Sequence, residues 1–575
     1  GGINMKELML GNEAIARGAY EAGVKHVISY PGTPSTEITE FATQYKEIFC
    51  QWSVNEKVSF ETAFGASLMG DRAMTCLKHV GLNVAADSLF TAAYTGVNAG
   101  LVIVCADDPG MYSSQNEQDS RQIARAAHVP VLEPSDANEA KDMVLKAFEI
   151  SEEYDTPVML RITTRLAHQR SLVELYDRQE APVKEYTKNP AKYVMMPGMA
   201  RKRHVVVEDR ERRLSEAVNT SSLNRMEIKD SDIGIIAAGA VYEYVKEVMP
   251  NASLLKLGIS YPIPRDLIKE FASKVKKLYV IEELEPVIET EIAAMGIDVT
   301  GKCLTGLQGE LSPEKLSEIF KGEKQEVTDS NLPMRPPVLC PGCPHRASFH
   351  AMKKLKLTVF GDIGCYTLGT LAPLSSMDAS LCMGASIGML LGAYLAKGSE
   401  FSKKAVAVIG DSTFLHSGLQ PLVSAVSLNA AITVVILDNR ITAMTGHQPN
   451  PSTGKDIYGN DIQEVDIEKV CLSIGARVKT VNPMEVDSFI SLLKEELNYD
   501  GVSVIVAKYP CALLPGQRKP ALSVENCRNC KLCLSIGCPA ILPGENGVMV
   551  DSTLCNGCGL CAKICPFGSF KMEGK

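Results

Sequence analysis

Eight cysteines within the last fifty residues most restrict what this chain can become. They form two near-copies of one pattern: Cys527, Cys530, Cys533 and Cys538 followed by Pro539, then Cys555, Cys558, Cys561 and Cys565 followed by Pro566. The copies are offset by 28 residues, the only clear internal repeat in the chain. A CxxCxxC run lets one loop present three thiolates to an iron–sulfur cube, and the remote Cys-Pro of each half ligates the cube held by the other half. On that rule one [4Fe-4S] cluster takes Cys527, Cys530, Cys533 and Cys565, and the second takes Cys555, Cys558, Cys561 and Cys538. Structural zinc and disulfides are the rival readings, although zinc sites usually pair two CxxC units without a third cysteine in step. Four residues rather than three separate Cys533 from Cys538, so that loop is expected to bulge.

With 575 residues the chain is too long for one core. A hydrophobic content of 45% beside 22% charged residues is ordinary for a soluble protein, and the net charge of −9 argues against nucleic acid as the main partner. No apolar run is long enough to span a membrane, and the start lacks a basic-then-apolar leader pattern. Eighteen cysteines without such a leader suggest a reducing, cytoplasmic setting in which thiols serve metals.

Alternating apolar runs and helical patterns divide the chain into α/β segments. The expected boundaries are 1–175 for a first α/β domain, 176–230 for a charged connector, 231–325 for a second α/β domain, 335–515 for a third, and 520–575 for the cysteine tail. Val27–Tyr30 and Leu101–Val104 are strand candidates in the first, and Glu56 to Gly70 is a long helix candidate. Residues 171–228, with Arg201-Lys202-Arg203 and the Arg210–Arg213 run, are expected to be irregular and solvated. Residues 321–332 are expected to be a linker.

In the third segment Ala405–Ile409 reads as a buried strand running into Gly410-Asp411-Ser412, with a helix expected from His416 to Leu428. A second strand, Ile432–Leu437, ends at Asp438-Asn439. Both polar groups therefore lie at the carboxyl ends of parallel strands, where such sheets bind ligands. The Asp411 carboxylate, the Asn439 amide oxygen and the Ile441 carbonyl are hard oxygen donors suited to Mg²⁺, with phosphate oxygens completing the shell. Gly410 keeps the turn tight, and the following helix N-terminus favours a diphosphate.

Gly-Asp-Ser, 25 residues, then Asp-Asn resembles the thiamine diphosphate motif, with Ser412 and Asp438 as departures from its usual glycine and asparagine. Asn55-Glu56, followed nine residues after the glutamate by Gly65, is similar to the pyrimidine-domain helix whose glutamate activates thiamine; Glu61 is the rival acid. The tail resembles a bacterial two-cluster ferredoxin. Tyr30-Pro31-Gly32-Thr33-Pro34-Ser35, Cys340-Pro341-Gly342-Cys343-Pro344-His345-Arg346 and Gly361-Asp362-Ile363-Gly364-Cys365 resemble signatures of the 2-oxoacid:ferredoxin oxidoreductases. The chain is identified as a member of that family, of its indolepyruvate branch, over essentially all of its length.

The resemblance implies an α/β fold: thiamine-binding parallel-sheet domains of pyrimidine and diphosphate type, a transketolase C-terminal-like domain and a two-cluster ferredoxin-like tail. It implies oxidative decarboxylation of an aryl 2-oxoacid such as indolepyruvate, with coenzyme A taking the acyl group and ferredoxin taking electrons. The alternative is a non-oxidative thiamine lyase whose tail is a docking module. Implied site residues are Glu56 at the cofactor, Thr33 beside the substrate, and His79 and His345 near the reacting carbon. His416 is a further histidine candidate. A third, proximal [4Fe-4S] cluster would use Cys340, Cys343, Cys365 and Cys511. Arg121 is expected either to face the substrate carboxylate or to be a surface charge. Cys50, Cys76, Cys105, Cys303, Cys382 and Cys471 are expected to be buried apolar side chains. A smaller beta subunit, in an αβ heterodimer pairing into a larger oligomer, is implied because no segment resembles the small domain that closes the site in relatives.

Overall fold

The computed structural model describes residues 5–182, 184–229, 232–323 and 336–572. The chain divides into two compact units, residues 1–330 and 331–575. Most of the expected linker at 321–332 lies outside the described residues.

The first unit is organised on a seven-stranded sheet. Its order is Ile259–Tyr261, Val131–Leu132, Val158–Thr163, Leu101–Asp107, Ala73–Lys78, His26–Ser29 and Phe49–Trp52. All neighbours are parallel except the first pair. Ala73–Lys78, Leu101–Asp107 and Val158–Thr163 are buried at every position, as parallel strands covered by helices on both faces must be. A four-stranded sheet follows, ordered Lys277–Ile281, Ile233–Ala238, Ser253–Leu257 and Arg225–Glu227. Ile259–Tyr261, expected within the second α/β segment, instead extends the first sheet. The chain thus leaves its second sheet to tie the two together.

The connector departs from expectation. Pro197–Ala217 is a 21-residue helix, and Val207, Arg210 and Leu214 form its buried stripe. It packs on the His79–Thr95 helix: Arg203 Nε donates to the Tyr94 carbonyl at 2.7 Å, and Arg210 Nη1 donates to the Ala93 carbonyl at 2.9 Å. Cationic side chains on the last carbonyls of a helix satisfy orphan acceptors and oppose its dipole.

The second unit carries a wholly parallel five-stranded sheet, ordered Thr358–Phe360, Ala405–Gly410, Ile432–Asp438, Val502–Lys508 and Arg477–Val481. One face packs around Ile387, Ile409 and Phe414. On the other, Val408, Val435 and Phe489 share a core with Leu522, Ile541, Cys533 and Cys561, so the cysteine tail is part of the unit's interior. Among the described residues no helix is long and apolar enough to cross a membrane.

Candidate active site

In the first unit the candidate residues gather at the carboxyl ends of adjacent parallel strands. Asn55 caps the Glu56–Leu68 helix by accepting from the Val58 N–H, which fixes Glu56 at the first helical position, buried. A Cβ at Gly81 would stand 2.5 Å from Glu56 Oε1, so only glycine there leaves room for the carboxyl group. Glu61 is instead exposed and paired with Lys57 and Ser88. Burial therefore separates the two rival acids.

Thr33 lies in a turn that Ser35 closes through its N–H and hydroxyl, both donated to the Gly32 carbonyl at 2.8 Å; the Thr33 carbonyl accepts from Ser113 Oγ. His79 opens the next helix, buried, with Nε2 3.1 Å from the Asn116 carbonyl. Burial lowers its pKa, which favours the neutral ring, although Asp107 opposes the shift. Lys78, which carried no expectation, is buried beside Gly32, and its Nζ donates to the Ser113 carbonyl at 2.8 Å. Burial brings its pKa down to about 8 against the pull of Asp108 and Glu56. A lysine ending a buried strand next to a flagged histidine was the available sequence signal.

Arg121 meets neither expectation. It is 1% exposed and bonds Asp119 and, at 2.8 Å, Glu282. Arg161 extends the same buried cluster to Asp107 at 2.7 Å and to Glu133. Arg121 is thus a structural ion pair joining the two sheets.

In the second unit Gly410 ends its strand against the Tyr366 ring, which a Cβ would approach to 2.8 Å. Helix begins directly at Asp411, not at His416, and passes through a π turn at Phe414–Gly418 before Leu419–Ser427. Asp411 Oδ1 accepts from the Ser412 N–H at 2.8 Å. Arg440, in the left-handed region at φ 64°, turns its N–H to both Asp411 Oδ2 and Asp438 Oδ1, each at 3.1 Å. Burial and the neighbouring Asp438 push the Asp411 carboxyl up to about 7, and burial raises Asp438 as well. The Asn439 side-chain oxygen accepts from the Ile441 N–H at 3.3 Å. Two adjoining buried carboxylates with an amide oxygen beside them form a donor set that fits a hard divalent cation. His416 is buried on the π turn, bonded to Ser417. His345 packs edge-on against Tyr366, and burial brings its pKa down to about 4, so it is neutral near pH 7.

Twelve of the eighteen cysteines fall into three groups of four. Cys533 lies among Cys527, Cys530 and Cys565, and burial raises its pKa. Cys561 lies among Cys558, Cys538 and Cys555, again raised by burial. Cys538, Cys555, Cys558 and Cys561 line one largely apolar hollow, a setting that fits a thiolate-held cube. In the third group burial pushes Cys343 up to about 12 and Cys365 to about 11, with Cys340 near both and Cys511 near Cys365. Cys511 also meets the Asp438-Asn439 strand end, since its N–H donates to the Asn439 carbonyl at 3.0 Å. Among the described residues no three Cys, His, Asp or Glu side chains are gathered as for a single metal ion. Of the cysteines expected to be isolated and buried, Cys303 and Cys382 are exposed, whereas Cys50, Cys76, Cys105 and Cys471 are buried.

Asp362, quoted only as part of a motif, proves to be an organiser. Its buried carboxylate accepts from Gly384 N at 2.7 Å and Ser386 N at 3.0 Å, capping the Ala385–Lys397 helix.

Three family models match the chain. The thiamine-diphosphate-binding model of pyruvate flavodoxin/ferredoxin oxidoreductases matches residues 17–225, running through the Pro197–Ala217 helix. The C-terminal TPP-binding domain of thiamine pyrophosphate enzymes matches 362–507, and a 4Fe-4S binding domain matches 548–571. The indolepyruvate oxidoreductase subunit IorA of Archaeoglobus fulgidus is 41% identical over 611 residues, covering 98% of this chain and 97% of that protein. That of Pyrococcus horikoshii is 41% identical over 628 residues, with the same coverage. The 2-oxoglutarate synthase subunit KorA of A. fulgidus is 26% identical over 355 residues, covering 55% of this chain and 99% of that protein.

Proposed function

Because this chain belongs to the family of indolepyruvate oxidoreductase subunits IorA, we propose that it is the catalytic subunit of a thiamine-diphosphate-dependent 2-oxoacid:ferredoxin oxidoreductase acting on indolepyruvate and related aryl pyruvates. One observation carries the reading. Within a single compact unit, the Asn439 carbonyl accepts from the Cys511 N–H, Cys511 adjoins Cys365, and tail cysteines share that unit's core. This arrangement supports a cofactor site and an electron path that share one module.

Bound thiamine diphosphate supplies a carbon nucleophile and an electron sink for decarboxylation of a 2-oxoacid. Asp411, Asn439 and the Ile441 carbonyl would hold its Mg²⁺, with Gly410 and Ser412 at the diphosphate. Glu56, kept in its pocket by Gly81, would hold the proton exchanged with the aminopyrimidine. Thr33, His79 and Lys78 would face the substrate, with neutral His345 lining the diphosphate side. Cys340, Cys343, Cys365 and Cys511 would hold the proximal cluster, and the two tail sets the others, so that two electrons leave one at a time. A smaller partner subunit would complete the enzyme as an αβ heterodimer that pairs further. Coenzyme A would take the acyl group, in a cytoplasmic, anaerobic setting that suits low-potential clusters.

Anaerobic assay of the complex with indolepyruvate, phenylpyruvate, pyruvate and 2-oxoglutarate tests this. The expected outcome is coenzyme A-dependent ferredoxin reduction, fastest with the aryl substrates. Aldehyde release without ferredoxin reduction would point to a lyase, and faster turnover of pyruvate would overturn the substrate class.

A further inference from the structure

Arg346 stands between two of the cysteine groups. Its side chain is buried, and it donates hydrogen bonds to neutral backbone carbonyls on both sides. Nε donates to Cys340 O at 3.1 Å and Nη2 to Leu339 O, on the segment that carries the proximal group. Nη1 donates to Ile536 O at 2.9 Å and Gly537 O at 2.6 Å, on the loop that presents Cys538. The same guanidinium helps to wall the hollow lined by Cys538, Cys555, Cys558 and Cys561. The proximal segment also meets the Cys555–Cys558 run directly, because a Cβ at Gly342 would collide with the Asn556 side chain.

A buried guanidinium is costly unless a negative charge answers it. Among the described residues the acidic groups that act on it are the sulfurs of Cys538, Cys343, Cys340 and Cys558, which belong to both groups and would carry negative charge as cluster ligands. A thiolate-ligated cube is negative and gains a further negative charge on reduction, and charge and hydrogen bonding around it set its potential. A fixed cation between two cubes therefore favours the reduced form of each.

We propose that Arg346 is the electrostatic bridge of the internal electron path, raising the potentials of the proximal and second tail clusters together so that single electrons pass between them. This rests on the cluster assignment above. Each transfer oxidises one cube by one electron and reduces the other by one; no bond forms or breaks and no proton moves. The donor is the 2-oxoacid oxidised at the thiamine site, and the final acceptor is external ferredoxin.

The test is an EPR-monitored redox titration of the complete complex, purified anaerobically, with iron counted on each sample. In Arg346→Gln two of three midpoints are expected to move to more negative potential. The cluster on Cys527, Cys530, Cys533 and Cys565 should be unmoved, and Arg346→Lys should restore most of the shift. Unmoved midpoints in Arg346→Gln, with the full wild-type complement of about twelve irons, would overturn the bridge while leaving the cluster reading intact. A wild-type count of about eight irons would instead remove the proximal cluster, and the bridge with it. If Arg346→Gln loses iron, Arg346→Lys decides: full loading at near wild-type potentials supports the role of charge, and loss in both variants overturns it.

Discussion

Glu283 sits at the edge of the buried ion cluster, where its carboxylate accepts from the Leu311 N–H at 2.9 Å. Burial outweighs that bond and the nearby Arg161, and pushes its pKa up to about 7 from 4.5. The folded state therefore binds more protons than the unfolded chain between those values, so stability falls as pH rises across that window. The cost is fully present above about pH 7 and absent below about pH 4.5, with an upper size of roughly 3 kcal/mol. Glu283→Gln keeps an acceptor for Leu311. Its thermal midpoint should match wild type near pH 5 and exceed it near pH 8, as scanning fluorimetry would show; a pH-independent difference would refute the assignment. Single residues of this kind were hard to read in the sequence. Glu56 was legible because Asn55-Glu56 marks a helix start. Arg346 had no role there, since only the folded tail brings the carbonyls of Ile536 and Gly537 to it. Asp438 read as a departure from a motif, and became a partner of Asp411 only when the two strands lay side by side.

Among the elements, strands were the most legible, because apolar runs such as Ala405–Ile409 have no other comfortable place than a covered parallel sheet. The Pro197–Ala217 helix was missed for a definite reason. Its buried stripe at Val207, Arg210 and Leu214 has helical spacing, but an arginine at the centre made the segment look like a solvated charge run. That arginine is buried because the Ala93 and Asp155 carbonyls need donors, at 2.9 and 3.0 Å. Removing it leaves buried acceptors unpaired, at about 1–3 kcal/mol for each such group. Arg210→Ala should loosen the helix locally, raising amide exchange across 197–217 and at the end of the His79–Thr95 helix while the five-stranded unit keeps its protection. The Asp362 cap makes a second case. Asp362→Ala orphans the N–H groups of Gly384 and Ser386 at the start of a helix that packs on the cofactor strand, and should lower the melting temperature measurably, whereas Asp362→Asn should retain part of the cap.

For the whole molecule, the central question is how far the cofactor loop and the clusters depend on each other. The tail draws its support from the face of the sheet that holds Val408, Val435 and Phe489, and Lys563 anchors it by donating to Glu485 at 2.7 Å. Asp411 and Asn439 lie at the strand ends and are held by Arg440, Asn450 and the Asn439–Cys511 bond. These supports meet at Tyr509, whose N–H donates to the Asp438 carbonyl at 3.0 Å, and at Cys511. Asp411→Ala should therefore lose thiamine diphosphate and Mg²⁺ while keeping the tail iron, because no tail cysteine relies on the Asp411 carboxylate. Cys511→Ser should do the reverse, lowering iron by about four atoms per chain and leaving thiamine content near wild type, since the backbone N–H that meets Asn439 survives the change. Iron, thiamine and magnesium counted on the same anaerobic preparations give the comparison. Parallel loss of all three in either variant would mean that loop and clusters form one cooperative site, and the path from Asp411 through Cys511 to the tail would then have to be redrawn as a single folding unit.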